Sequence, residues 1–337
     1  MRPPKANVAI ISPALRKANN GNWQTAHRWS RFLQEDYAVT LDAEWLAASP
    51  GGALPDCLIA LHARRSAESI ASFALACPDR PRIVVLTGTD LYRDIRTDAC
   101  ARRSLELATH LVVLQQEGLA ELPDAQRAKC RVIYQSAPAC APTAPGKDHF
   151  DVVVVGHMRA EKDPLTPMRA LALLPDDSSV RLIQIGGALD KAYEQAALAL
   201  ETQAWPGPRR YVWLGNLPHD QTRQHIRQAR VLVISSVMEG GANVIVEAVA
   251  SGVPVVASRI PGNIGMLGHD YEGYFPVGDA AQLARVLERA SRDAGFLTRL
   301  RQQCALRAPL FAPARECAEV SKLVADALKP ESPGALQ

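Results

Sequence analysis

The chain has 337 residues, 47% of them hydrophobic, enough to fill the cores of two domains. With 38 basic and 35 acidic residues the formal charge is +3, too mild a balance for a nucleic-acid partner. No apolar run approaches the ~18 residues that span a bilayer.

The seven cysteines are scattered and include no CxxC pair, so neither a disulfide frame nor a zinc site is expected. Reduced thiols fit a cytoplasmic protein. The first apolar run, Val8 to Ile11, is too short for a signal-peptide core and reads as a buried parallel strand. A polar loop with Arg16, Lys17, Asn20, Gly21 and Asn22 follows. Thr25 to Gln34 is helical in pattern, with Ala26, Trp29 and Leu33 on one face, and Tyr37 to Leu41 is the next strand. This order opens a Rossmann-like half, yet no GxGxxG is present, so a dinucleotide is not expected. Strand 57–61 delivers His62, Arg64 and Arg65 to its carboxyl end, and strand 83–86 delivers Thr87, Gly88, Thr89 and Asp90. Ligands of open parallel sheets sit at those ends. A plainer reading makes the arginines a solvated helix start and Thr89-Asp90 an N-cap. Runs 111–114 and 131–134 are further strands.

Prolines 138, 142 and 145 with Gly146 mark an interdomain linker. Strand–helix alternation restarts at Val152–Val155 and continues through strands near 180–185, 211–214, 231–234 and 253–257, after which the chain is helical. The fold class is therefore α/β, with two Rossmann-like domains facing a cleft. The boundaries expected are 1–140 for the first domain, 141–149 for the linker, 150–312 for the second domain, and 330–337 for a disordered tail.

Strand 152–155 runs into Gly156, His157, Arg159 and Lys162, a compact cationic group at a strand end. Positive charge there suits a departing diphosphate, and Lys162 can supply it without a metal. Gly186-Gly187 permits close backbone approach. Leu214 to His219, with Leu217 at its centre, offers a surface for a flat base. The stretch from Ser235 to Ala248 reads as strand end, small-residue loop and helix start. Glu239 precedes the loop Gly240-Gly241-Ala242, Asn243 opens the helix, and Glu247 lies one turn in. Free N–H groups at such a helix start suit a diphosphate, and Glu247 is placed to accept bonds from ribose or sugar hydroxyls. Each feature also has a plain reading as a solvated turn.

Two glutamates separated by seven residues, after Lys162 and Gly186-Gly187, resemble the family 4 retaining glycosyltransferases of GT-B fold. The resemblance implies a C-terminal crossover helix over 313–329 returning to the first domain. It implies Glu239 at the donor sugar, Glu247 at the ribose, and Gly240 to Asn243 at the sugar–diphosphate edge. Lys162, with Arg159 and His157, would steady the leaving group; the family has arginine where His157 stands. Leu61 to Ser66, Leu86 to Asp94, Val113 to Gln115 and Val132 to Ser136 resemble the selenosugar synthases of selenoneine biosynthesis (the SenB group). That resemblance implies a UDP-sugar donor, UDP-N-acetylglucosamine or UDP-glucose, no cofactor, and selenophosphate as acceptor. It places the acceptor near Asn20, Gly21, Asn22, His62, Arg64, Arg65, Thr87, Gly88, Thr89 and Asp90. It further implies a selenophosphate synthetase upstream and a selenoneine synthase downstream. The alternatives are a glycosyltransferase with a hydroxyl acceptor, a UDP-sugar epimerase, and a non-catalytic sugar-nucleotide-binding module.

Overall fold

Short β-branched runs bounded by small polar residues become parallel strands because both of their faces can be covered by crossover helices. In the computed structural model the first such series is β1 (Asn7–Ile11), α1 (Gly21–Leu33), β2 (Ala38–Asp42), β3 (Cys57–Leu61), α2 (Ala67–Ala76) and β4 (Arg82–Leu86). It continues with short α3 (Ile95–Thr97), α4 (Ala99–Leu107), β5 (His110–Val113), α5 (Asp124–Arg127) and β6 (Cys130–Val132). The second series is β7 (Phe150–Val155), α6 (Leu165–Ala172), β8 (Val180–Ile185), α7 (Lys191–Thr202), β9 (Tyr211–Trp213), α8 (His219–Gln228), β10 (Val231–Ile234), α9 (Asn243–Ala250) and β11 (Val255–Ser258). Then come α10 (Pro261–Leu267), β12 (Tyr274–Phe275), α11 (Ala280–Arg292), α12 (Ala294–Arg307) and α13 (Pro313–Ala327). The structure describes residues 4–15, 21–46, 54–141, 143, 146, 148–205 and 210–329. Arg16, Lys17, Asn20, parts of the linker and the 330–337 tail lie outside them.

The chain divides into two compact units, one from residues 1–135 with 313–337, the other from 136–312. Each holds a six-stranded parallel sheet, ordered β2-β1-β3-β4-β5-β6 in the first and β12-β11-β10-β7-β8-β9 in the second. In both sheets the strand order reverses once, between β1 and β3 and between β7 and β10. A crevice opens at the carboxyl ends wherever this happens, because the flanking loops leave in opposite directions.

The first sheet sorts its side chains by the two-residue period of a strand. Ala9, Ile11, Leu58 and Ala60 face one core with Ile70, Phe73 and Leu105 of α2 and α4. Val8, Ile10 and Ile59 face another with Ala26, Trp29 and Leu33 of α1. That second core also takes Val320, Leu323 and Val324, so α13 returns to the first unit. A buried ion pair fixes it there. Glu316 accepts from Arg28 Nε at 2.6 Å and from Trp29 Nε1 at 2.8 Å, with its side chain fully covered.

The strands of the second half begin and end within two residues of the expected positions. Two elements escaped the pattern: β12 is only two residues long, and α10 opens on Pro261 at its first helical position. Residues 136–141 and Gly146 lie along the second unit. Cys140 N donates to Ala250 O, and Arg223, Arg227 and Arg230 reach the carbonyls of Pro138, Ala141 and Gly146.

Candidate active site

In the second unit the loops leaving β7 and β10 flank the reversal, and their charged side chains meet across it. Lys162, in a tight turn over Ala160–Lys162, donates from Nζ to Glu239 Oε1 at 2.5 Å. Ser236 Oγ donates to the same oxygen, also at 2.5 Å. The turn is held from below by Ser235 Oγ, which bonds the carbonyls of Lys162 and Asp163, and by Val237 N on Glu161 O. Asp163 completes it in the left-handed region (φ 43°), its carboxylate taking Thr166 Oγ1 at 2.6 Å. The pair is partly open to solvent, with side-chain exposures of 25% for Lys162 and 11% for Glu239. Gly156, His157, Lys162, Pro164, Ser235 and Ser236 line a small hollow beside it. His157 is held below the usual histidine range by burial first, then by Arg159 and Lys162. Arg159 lies 3.8 Å from Glu161, which absorbs part of its charge.

The expected close approach at Gly186 is made by the chain itself. A Cβ there would stand 2.1 Å from Gly156 O, and the φ of +131° is one that side chains rarely adopt. Gly187 N donates to Asn216 Oδ1 at 2.7 Å, while Met158 N and Gly187 O bond at 2.9 Å. The loops after β7, β8 and β9 are thus locked together. Glu239 has a similar support. A Cβ on Gly262 would stand 1.9 Å from Glu239 O, so only glycine lets the start of α10 pack on that loop. Ser258 Oγ donates to Ser236 O, and Asn263 Nδ2 donates to Ser258 O at 2.9 Å. Ser236, Ser258 and Asn263 were not singled out from the sequence as site residues, because isolated serines and asparagines look like turn formers.

Helix α9 begins at Asn243, preceded by the loop of Gly240, Gly241 and Ala242. Glu247, 8% exposed, holds His219 Nε2 at 2.7 Å across to the first residue of α8. Nothing in the sequence pairs these two residues; within Leu214 to His219, the expected surface for a base, Leu217 is half-buried.

In the first unit, loops leaving the adjacent strands β3 and β4 are stitched by Asp90. Its carboxylate, fully buried, accepts from the backbone N–H groups of Ala63, Thr87 and Gly88 at 2.8–2.9 Å. Both oxygens are therefore occupied by the chain. His62 sits beside it with φ +72° and bonds Thr89 Oγ1 through Nε2 at 3.0 Å. Arg64 is tied to Asp94 at 2.9 Å, which Arg93 also holds, whereas Arg65 is exposed. Gly21 and Asn22 open α1, where Gly21 O accepts from Thr25 Oγ1.

Solved structures share this architecture over nearly the whole chain. HepE of Anabaena, in complex with UDP and glucose, superposes with a TM-score of 0.73 at 17% identity, covering 95% of this chain and 99% of that one. Sucrose-phosphate synthase of Thermosynechococcus elongatus gives 0.76 at 16% identity, covering 96% and 99%. The pneumococcal O-GlcNAc transferase GtfA, in complex with UDP and GlcNAc, gives 0.61 at 16% identity, covering 81% of this chain and 57% of that one. The two units are a GT-B fold. Residues 141–308 match the family described as glycosyl transferases group 1. The protein is a glycosyltransferase.

All the glycosyltransferase's expected donor-side residues, from Gly156 to Glu247, fall inside the matched span, and the His62–Asp90 cluster falls outside it. Among the described residues no three His, Cys, Asp or Glu side chains gather as a metal site, and no helix is long and apolar enough to cross a membrane.

Proposed function

We propose that the enzyme transfers a hexose from a UDP-sugar, UDP-N-acetylglucosamine or UDP-glucose, to selenophosphate. The observation that carries the donor half is the Lys162–Glu239 pair across the reversal of the second sheet, with Glu247 one turn into the adjoining helix. HepE, bound to UDP and to UDP-glucose, supports it through a shared fold. In this reading the α9 N-terminus and Lys162 hold the diphosphate, Glu239 meets sugar hydroxyls, and Glu247 the ribose. Gly156, His157 and Arg159 surround the leaving group, with Gly186, Gly187 and Leu217 shaping the nucleotide side. The bond from sugar carbon to diphosphate oxygen breaks, UDP departs with the electron pair, and selenium forms the new bond to carbon. Water then cleaves the phosphorus–selenium bond, giving a selenol sugar and phosphate.

The acceptor half rests on the first unit. Segments 61–66 and 86–94 resemble selenosugar synthases, and there the structure gathers His62, Thr87, Gly88 and Thr89 with Arg65 exposed beside them. An acceptor that is already an anion requires no base. Purified enzyme, UDP-sugar and fresh selenophosphate should yield UDP and a selenium-bearing hexose by mass spectrometry. UDP release with alcohols but not with selenophosphate would sink the acceptor and leave a hydroxyl-directed glycosyltransferase.

A further inference from the structure

Only two residues other than glycine have positive φ among the described residues, Asp163 beside Lys162 and His62. Asp163 explains itself through its capped turn. His62 has one local bond, from Arg65 N to Nδ1, and is otherwise held from further along the chain, since such strain persists only where the surroundings enforce it. The surroundings do enforce it. His62 N donates to Val85 O, Ser66 N bonds back to His62 O, Ser66 Oγ holds Leu61 O, and Ser104 Oγ holds Ala63 O. A turn of π-helix, Asp90–Asp94, follows Thr89 directly, and such turns recur at functional positions. The result is a 3% exposed imidazole pressed against the half-buried hydroxyl of Thr89.

The ring's protonation follows from its neighbours. Nδ1 receives the backbone N–H of Arg65 at 3.3 Å, so it presents a lone pair. Asp90 Oδ2 lies 3.9 Å from Nδ1, beyond hydrogen-bond reach, and already has Ala63 N as donor. Burial favours the neutral ring and outweighs the opposing pull of Asp90 and Asp94, while Arg64 and Arg65 add to the burial effect. A neutral ring with an accepting Nδ1 carries its proton on Nε2. That proton goes to Thr89 Oγ1. Having accepted, the threonine hydroxyl has its own proton left to give, and among the described residues nothing receives it.

We infer that His62 is a positioning residue that aims the Thr89 hydroxyl as a hydrogen-bond donor toward an oxyanion on the acceptor substrate, and that it is not the base that deprotonates that acceptor. The inference rests on the proposed transfer to a phosphate-type anion and deepens it. An alcohol acceptor would need a proton taken away, whereas this relay delivers one. Arg65, exposed beside the ring, adds charge of the right sign.

Three measurements test it on the whole enzyme. Titration calorimetry with the UDP-loaded protein should show Thr89→Val weakening selenophosphate binding about 10- to 100-fold, as expected for a lost bond to a charged ligand, with Thr89→Ser restoring most of it. In turnover, Thr89→Val should raise the acceptor KM while leaving the donor KM in place. His62→Gln, which keeps a donor near the Nε2 position, should retain kcat within about tenfold, against the ~10²–10⁴-fold loss of removing a general base. Nitrogen-15 NMR of the free enzyme should find His62 neutral and protonated on Nε2 near pH 7. Equal selenophosphate binding by wild type and Thr89→Val overturns the inference and leaves the proposed reaction standing, as does collapse of kcat in His62→Gln. If wild type neither binds nor converts selenophosphate, the proposed acceptor fails, and a His62 ring protonated on Nδ1 then overturns the relay as well.

Discussion

Lys162 spends its charge on Glu239. The Lys162–Glu239 contact is a charge-assisted bond of the same kind that Lys162 would make to a phosphate oxygen, each contributing roughly 1.5–3 kcal/mol, so exchanging one for the other is near balance. In the proposed reading a diphosphate would draw Lys162 away at little cost and leave Glu239, still held by Ser236, to face donor hydroxyls. On this account Lys162→Ala lowers kcat by about 10²–10³-fold, the ~2.7–4 kcal/mol lost with one preorganised donor to developing charge, and moves the donor KM far less. A rise in KM at constant kcat would mean that the lysine only binds. Glu247 makes a different demand. His219 holds one of its oxygens, so the carboxylate has a fixed direction. Glu247→Ala should raise the Kd for UDP about tenfold or more, yet leave binding of a dideoxyribose analogue unchanged, because only the ribose hydroxyls lose a partner. Equal losses for both nucleotides would place Glu247 away from the ribose.

Helix α13 shows what a sequence does and does not disclose about an element. Its helical spacing is legible in Val320, Leu323 and Val324, but Glu316 reads as a solvated charge, and nothing local says that Trp29 and Arg28 wait for it 287 and 288 residues earlier. Breaking a covered ion pair leaves a charge and an N–H without partners, so Glu316→Ala should cost about 3 kcal/mol, slightly tempered because Arg28 retains some water. Hydrogen exchange should then accelerate in α1 and α13 while the amides of β7 to β11 keep their protection. Unchanged exchange in α13 would show that its apolar face alone holds it. The strands were readable because a parallel strand buried on both faces is a continuous apolar run. The meeting of Lys162 with Glu239 is legible in outline because both follow apolar strands, β7 and β10, and so lie at carboxyl ends of one sheet. The Gly186-Gly187 pair signals a close approach, but what approaches Gly186, Gly156 O, is a tertiary fact. The strain at His62 left no mark, since histidine does not announce a left-handed backbone as glycine does. His219 reads as part of a base-binding surface or a plain turn, because its partner lies 28 residues away.

Across the molecule, stability should depend on pH through buried imidazoles. His62 and His110 in the first unit and His157 in the second all have folded-state pKa values below the usual one, with burial the largest cause in each. At pH above about 6.5 these rings are neutral whether the chain is folded or not, and they contribute no pH dependence. Below that, the unfolded chain takes up protons that the folded one resists. More protons bound when unfolded means that stability rises with pH, so this stability is complete above about pH 6.5 and is lost as pH falls through the lowered values. The carboxylates whose pKa values are displaced act elsewhere. Asp177, Asp293 and Asp326 are held below the usual carboxylate range, by Arg292, by the Phe296 N–H and by Lys322 respectively as the largest causes, so their contribution is lost only in stronger acid. Between pH 7.5 and 5.5 the histidines thus dominate. The urea midpoint of each unit should fall over that interval, with the slope against denaturant unchanged, and probes are needed in both units because two transitions are expected. His157→Gln should flatten the fall reported from the second unit alone. A midpoint that holds steady or rises as the pH drops would mean that these rings take up their protons in the folded protein as readily as in the unfolded one. In that case His62 could not be the fixed neutral donor on which the orientation of Thr89 depends.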